Sequence, residues 1–170
     1  LKKTREIVSA DAVIVATGGL SYPSTGSTGD GYRFAEKTGH TVTDLSPALV
    51  PFETAGPVGR DLQGLALKNI QAKILKGKKV LYEEFGEMLF THFGVSGPVL
   101  LSASSYGAAQ LKKGPLTLSL DLKPALSEEQ LDARILRDFE EQKNKQYKNS
   151  LSRLLPAKMI PVIVERSGID

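Results

Sequence analysis

A glycine-rich stretch carries the residues of this sequence that are best suited to binding a ligand. One group ends an apolar run and the other opens a predicted helix: Ala16, Thr17, Gly18 and Gly19, then Gly29, Asp30 and Gly31. Bare backbone can approach a ligand closely, and the N–H groups of a helix's first turn can face a phosphate or an electron-rich ring. The pattern predicts a ligand-binding loop, with an ordinary glycine-rich connection as the alternative. It is neither a P-loop nor a GxGxxG motif.

A second candidate lies in residues 91–98, between a predicted strand and a predicted helix. His92 and Ser96 could line a substrate site there, and a helix beginning near Gly97 could offer amide donors to an anionic or carbonyl group. One histidine without a nearby acid or nucleophile defines no mechanism, so a hydrogen-bonded turn is the favoured interpretation. Tyr22, beside the first candidate, could stack on a ring or anchor a turn. These three residues are weak catalytic candidates, and the catalytic residues stay unassigned.

Composition excludes several classes of site. The sequence has 170 residues, no cysteine and two histidines, which removes disulfide scaffolds, thiol catalysis and iron–sulfur clusters and disfavours any metal site. No apolar run approaches the roughly 20 residues of a membrane helix. Lys and Arg number 22 against 19 Asp and Glu, and they are spread along the chain. We therefore expect a cytoplasmic protein with neither a membrane nor a nucleic-acid partner.

Two predicted elements position the glycine-rich stretch. Residues 12–16 form a continuous apolar run, typical of a strand buried on both faces of a parallel sheet. Residues 29–38 form a helix, with Gly39 just past its end. A strand of that kind needs neighbours, and no usual partner strand precedes it in the sequence.

The rest of the sequence predicts a small β-barrel or sandwich followed by helices. The predicted strands are residues 48–53, 67–74, 80–85, 88–91 and 116–121, with a helix over 96–109. In the second strand, Ile70, Ala72 and Ile74 are predicted to face the core. A capping box at Ser127 opens a long helix, residues 142–150 form a linker, and residues 151–155 and 158–166 complete a small bundle.

Four segments resemble one family of flavoproteins. Residues 16–40, ATGGLSYPSTGSTGDGYRFAEKTGH, are similar to the stretch that ends the first dinucleotide-binding half of the BaiN/YhiN-type flavoproteins. These are also described as NAD(FAD)-utilising dehydrogenases or aminoacetone oxidase-like FAD-binding enzymes. Residues 47–52 (PALVPF), 62–69 (LQGLALKN) and 86–101 (GEMLFTHFGVSGPVLL) match in the same order. The resemblance covers nearly the whole chain.

The resemblance implies a multi-part α+β fold. In it, a Rossmann-like FAD domain is interrupted by a six-stranded β-barrel of the translation-factor type and a three-helix unit. Residues 1–45 would be part of the FAD-binding segment, 46–125 part of the barrel, and 126–170 the helical subdomain. The GxGxxG motif would precede residue 1, and the last barrel strands would follow residue 170. We therefore expect both ends to be cut points and the barrel to have an unpaired edge.

A looser resemblance, to the succinate dehydrogenase and aspartate oxidase group, implies roles inside the glycine-rich stretch. That group has ATGG followed by a helix opened by GDG. By this match, Thr17 and Gly18 would approach FAD through their backbone, and Asp30 would be the acidic residue at the cofactor. The substrate-binding histidine of that group would fall at Pro51, so dicarboxylate chemistry is not expected.

Two functional hypotheses follow. In the first, the chain supplies one flavin-binding wall and a substrate-side cap to an FAD-dependent oxidoreductase, with NAD(P)H as a candidate electron donor and an unknown small molecule as substrate. Alone it would be inactive and would hold no FAD tightly. Its partners would be the rest of its own chain and, through open strand edges, further copies of itself. In the second, the barrel and helices form an interaction module without catalysis, which a contiguous basic face with exposed aromatics would favour.

Overall fold

The computed structural model describes residues 7–169 of the chain. The chain forms two compact units that divide between Leu45 and Ser46. Among the described residues, the first unit holds one α-helix and one 3-10 turn. The second unit holds a β-sheet and five α-helices.

The first unit contains the predicted helix and lacks the predicted strand. Helix α1 (Asp30–Lys37) begins with an acidic residue and ends with a basic one, which suits the helix dipole. Residues 12–16 pair with no strand among the described residues, and Val13 and Ile14 are 79% and 92% exposed. The prediction of a strand here is wrong for the chain by itself. The physical reason is that a strand takes its backbone hydrogen bonds from neighbouring strands, and residues 7–45 of this unit offer none.

Five strands form one curled antiparallel sheet in the second unit. They are β1 (Phe52–Glu53), β2 (Ala66–Lys76), β3 (Lys79–Phe90), β4 (Gly94–Ser96) and β5 (Thr117–Asp121). Their order across the sheet is β1-β4-β3-β2-β5. Strands β1 and β5 are its edges, so the described strands do not close into a ring. The prediction of an incomplete barrel joined to helices is confirmed.

The β2–β3 hairpin is longer and less regular than its predicted pieces. Strand β3 is continuous where two separate strands are predicted, because residues 86 and 87 stay within the sheet. Near the start of β2, Asn69 has a left-handed backbone, and the register shifts between Leu67 and Ile70. This bulge lets both Leu67 and Ile70 face the core, at 4% and 2% exposure. Strict alternation of inward-facing and outward-facing residues along β2 would place Leu67 on the outer face of the sheet.

Helix α3 (Pro98–Leu111) packs on β3 and completes the core. Pro98 occupies the first turn, where its missing N–H group costs nothing. A methyl group on Gly86 would lie 2.6 Å from Val99 Cγ2, so the glycine allows close contact between helix and strand. Val99 and Leu100 of the helix are buried together with core residues of β2, β3 and β4.

The remaining helices are α2 (Val58–Asp61), α4 (Glu128–Glu141), α5 (Tyr147–Ser150) and α6 (Ile160–Ser167). Helix α4 begins with the predicted capping box, in which the Ser127 amide donates to Gln130 Oε1 at 2.9 Å. The predicted linker instead contains α5. The last residue of α5 is held by the buried Gln142, whose side-chain amide donates to the Asp138 and Ser150 carbonyls at 3.1 and 3.3 Å. Within residues 7–169, no helix has the length and apolarity to cross a bilayer.

Candidate functional site

The structure brings the two halves of the glycine-rich stretch together. The Gly29 amide donates to the Gly19 carbonyl at 3.0 Å, so the backbone after residue 16 lies beside the start of α1. A methyl group on Gly31 would lie 2.9 Å from Thr17 Oγ1, and one on Gly18 would lie 2.7 Å from Ser27 Oγ. A larger side chain at either glycine would push the two halves apart.

The start of α1 offers backbone donors beside an acidic side chain. Among the described residues, no side chain caps the N-terminus of α1. The first-turn N–H groups therefore remain for water or a ligand. Asp30 forms an ion pair with Arg33 and accepts a hydrogen bond from Thr28 Oγ1 at 3.4 Å. This arrangement suits a ligand with an electron-rich group near the amides and hydroxyl groups near the carboxylate.

Tyr22 lies in the loop between these halves, with 79% of the residue exposed. Its backbone is left-handed, and its carbonyl accepts hydrogen bonds from the Thr25 amide and from Thr25 Oγ1, at 2.9 and 2.7 Å. These contacts place it at the start of a 3-10 turn, Pro23–Thr25. Its ring remains available to a ligand.

His92 and Ser96 belong to the second unit, where His92 lies on the turn between β3 and β4 and Ser96 lies at the end of β4. The Thr91 amide donates to the Gly94 carbonyl at 2.8 Å, and the Gly94 amide donates to Thr91 Oγ1 at 3.1 Å. His92 is exposed and makes an edge-to-face contact with Phe93 at 4.8 Å between ring centroids. Ser96 ends β4 opposite Leu89. Strand β4 could not be predicted from the sequence, because three residues are too few to show the alternation of a strand.

A cavity of about 540 Å³ opens in the second unit along both edges of the sheet. Most of its lining is apolar, with Glu53 and Arg166 as the charged exceptions. The edge strands, the residue before β5 and α6 contribute these apolar lining residues: Phe52, Leu116, Leu118, Leu120, Val162 and Ile163. The alternating leucines before and within β5 are visible in the sequence. Neither His92 nor Ser96 is among the lining residues described.

A tyrosine cluster lies where β3 meets α3. The Tyr82 hydroxyl donates to Glu84 Oε2, and its ring lies 5.0 Å from that of Tyr106. Burial raises the pKa of Tyr82 above its ordinary value, and the Glu84 carboxylate raises it further, while a hydrogen bond with Ser102 acts in the opposite direction. The hydroxyl is therefore held in its neutral form.

We expect Tyr82→Phe to lower the free energy of unfolding by about 1 kcal/mol at neutral pH, through loss of one hydrogen bond. Because the pKa of Tyr82 is raised by folding, its contribution is complete below about pH 10 and declines as the pH rises through the raised pKa. Urea unfolding of both proteins, below and above about pH 10, measures this. The difference in the free energy of unfolding between the two proteins should become smaller at high pH, and a difference that is independent of pH would contradict the prediction.

The fold and the sequence together define the family. Residues 46–170 match the family described as the HI0933-like protein barrel and H2TH domain. These residues make up most of the chain, so the chain belongs to the HI0933-like family, as the BaiN/YhiN resemblance predicts at this coarser level.

Three curated proteins are similar over nearly the whole chain. The chain is 32% identical over 168 residues to the 3-dehydro-bile acid delta(4,6)-reductase of Clostridium scindens, covering 94% of this chain and 39% of that protein. It is 32% identical over 154 residues to the ribosomal RNA dihydrouridine synthase of Escherichia coli, covering 90% and 36%. The protein of that name from Haemophilus influenzae is 33% identical over 160 residues, covering 93% and 37%. The chain thus spans less than two-fifths of each relative.

Proposed function

We propose that this chain is part of an FAD-dependent reductase of carbon–carbon double bonds. The first unit would supply a wall of the flavin site, and the second would supply a barrel and helical insert on the substrate side. The relatives' names carry this proposal. A delta(4,6)-reductase reduces carbon–carbon double bonds, and dihydrouridine is uridine whose ring double bond has been reduced. Two substrates as different as a bile acid and an RNA base therefore share one reaction type.

The glycine-rich stretch fits the role of a flavin wall. Thr17 and Gly18 would approach the cofactor through bare backbone, and the first-turn amides of α1 would face an electron-rich group. Asp30 would suit hydroxyl groups better than phosphate, because its carboxylate repels a second anion. FAD, when bound, supplies the hydride or electron transfer, and these residues would orient it.

The exposed apolar run gives separate support for a larger flavin domain. Val13, Ile14 and Val15 are 79%, 92% and 54% exposed among the described residues. Contiguous apolar residues exposed to this degree indicate a surface that is covered in the working protein. Neighbouring strands of a parallel sheet would cover both faces of the run.

The test measures flavin bound per mole of full-length protein and compares it between variants. Gly31→Val should weaken FAD binding about tenfold, since overpacking typically costs 1–3 kcal/mol and would separate Thr17 from α1. Ser24→Val is the control, because Ser24 is exposed in the same loop and does not have a positive φ.

Absorbance of the purified proteins and titration with FAD give the result. A full-length protein that neither carries flavin nor takes up added FAD contradicts the proposed function. A Gly31→Val variant that binds FAD as tightly as the wild type overturns the placement of this loop at the flavin site. The assignment as a flavin-dependent reductase is then decided by the flavin content of the wild-type protein.

A further inference from the structure

Lysines that are distant in the sequence meet at one end of the barrel. The β2–β3 hairpin carries Lys76, Lys78 and Lys79, and Lys113 follows the end of α3. Lys76 Nζ joins the two segments by donating to the Gln110 carbonyl at 2.9 Å and to the Gly114 carbonyl at 3.5 Å. We call these four lysines the lysine end.

The two segments that carry the lysine end contain no acidic residue of their own, since residues 74–82 and 105–120 have no Asp or Glu. Lys73, nearby on β2, pairs with Glu83 at 2.9 Å and is not counted. Lys78, Lys79 and Lys113 are exposed. Gathering like charges costs free energy in the isolated protein, and a polyanion bound against them removes that cost.

An exposed aromatic side chain lies beside the lysine end. Tyr106 is 60% exposed and lies one helical turn before Gln110, whose carbonyl Lys76 contacts. Its ring is supported by Tyr82 at 5.0 Å. Lysines that contact phosphates, combined with an aromatic face on which a base can stack, are the groups that bind single-stranded or looped nucleic acid.

We propose that the lysine end, with Tyr106, binds the phosphate backbone of an RNA substrate. The inference rests on the proposed function, because a reductase acting on a base within RNA must hold a polyanion, whereas one acting on a small molecule need not. The names of two relatives specify ribosomal RNA. The expectation that nucleic acid is no partner depended on the spread of basic residues along the sequence, and the fold gathers four of them.

The test uses the full-length protein and a fluorescently labelled RNA hairpin. Lys78→Gln/Lys79→Gln/Lys113→Gln removes three charges from the lysine end. Lys143→Gln/Lys145→Gln/Lys148→Gln removes three exposed charges, two between α4 and α5 and one within α5, and is the matched control. We expect about tenfold weaker RNA binding for the first variant only. The slope of log K against log salt concentration should also become smaller in magnitude by about 2 to 3 in that variant. Tyr106→Ala should weaken binding by about tenfold, with the salt dependence unchanged.

Each outcome has one meaning when flavin content is measured in parallel. Equal losses in both triple variants show an effect of net charge and overturn the lysine end as the RNA site, as does binding unchanged by the first triple. Vesicles of phosphatidylglycerol bound through these lysines, with RNA left unbound, overturn it in favour of a membrane. If RNA binding follows the prediction but the protein takes up no FAD, the proposed function fails and the RNA surface stands.

Discussion

Leu100→Ala is expected to lower the free energy of unfolding by about 3 kcal/mol. Leu100 is fully buried, at 0% exposure, where α3 meets the sheet. Truncation removes apolar contacts and leaves a void, because the strands on one side and the helix on the other cannot collapse independently. Leucine and alanine have similar helix propensities, so the loss measures packing and not the stability of α3 itself.

Leu136→Ala is the matched control, since Leu136 lies in the middle of α4 and is 62% exposed. That change should alter the free energy of unfolding by less than about 0.5 kcal/mol. Urea unfolding followed by circular dichroism measures both variants against the wild type. Equal losses at the two positions would show that α3 does not form the main core with the sheet.

Features that depend on a few neighbouring residues could be predicted from the sequence. The capping box at Ser127 is an example, because its two hydrogen bonds join residues three apart in the chain. Helix α1 was predicted for the same reason. Each is fixed by side chains and backbone preferences within one or two turns.

Features that depend on residues distant in the chain could not be predicted from the sequence. The bulge at Asn69 moves Leu67 into the core only because β3 lies opposite in a shifted register. Helix α5 forms where the buried Gln142 bridges two carbonyls, so its position is set by contacts with α4. Residues 12–16 are the opposite case. Their apolar composition predicts a strand, but the described residues of this unit supply no sheet for that strand to join.

The candidate site divides in the same way. The glycine-rich stretch was predicted to bring bare backbone close to a ligand, and that stays a prediction. The structure shows that its two halves lie together, since the Gly29 amide donates to the Gly19 carbonyl. The lysine end could not be recognised, because Lys76 reaches the Gln110 and Gly114 carbonyls only through the fold of the second unit. Charge counted along a sequence underestimates charge gathered on a surface.

Gly97→Ala is expected to cost about 4 kcal/mol, combining backbone strain with a steric clash. Gly97 has φ 99° and ψ 169°, a region that residues with a side chain almost never adopt. A methyl group there would lie 2.8 Å from Met88 Cα and 3.1 Å from the Leu89 amide nitrogen. Both are backbone atoms of β3, and Leu89 is paired with Ser96, so neither can move without breaking the sheet.

Gly77→Ala separates the two causes of that loss. Gly77 also has a positive φ, 58°, but a methyl group there has no heavy atom within 4 Å. Its replacement should cost only about 1 kcal/mol of left-handed strain. Thermal unfolding of the two variants gives the comparison. Similar losses would mean that β3 can move away from residue 97. A much larger loss at Gly97 would show that this position must be glycine because β3 lies so close to it. A loss of activity in that variant would then reflect a disturbed fold and would not place Ser96-Gly97-Pro98 at the substrate.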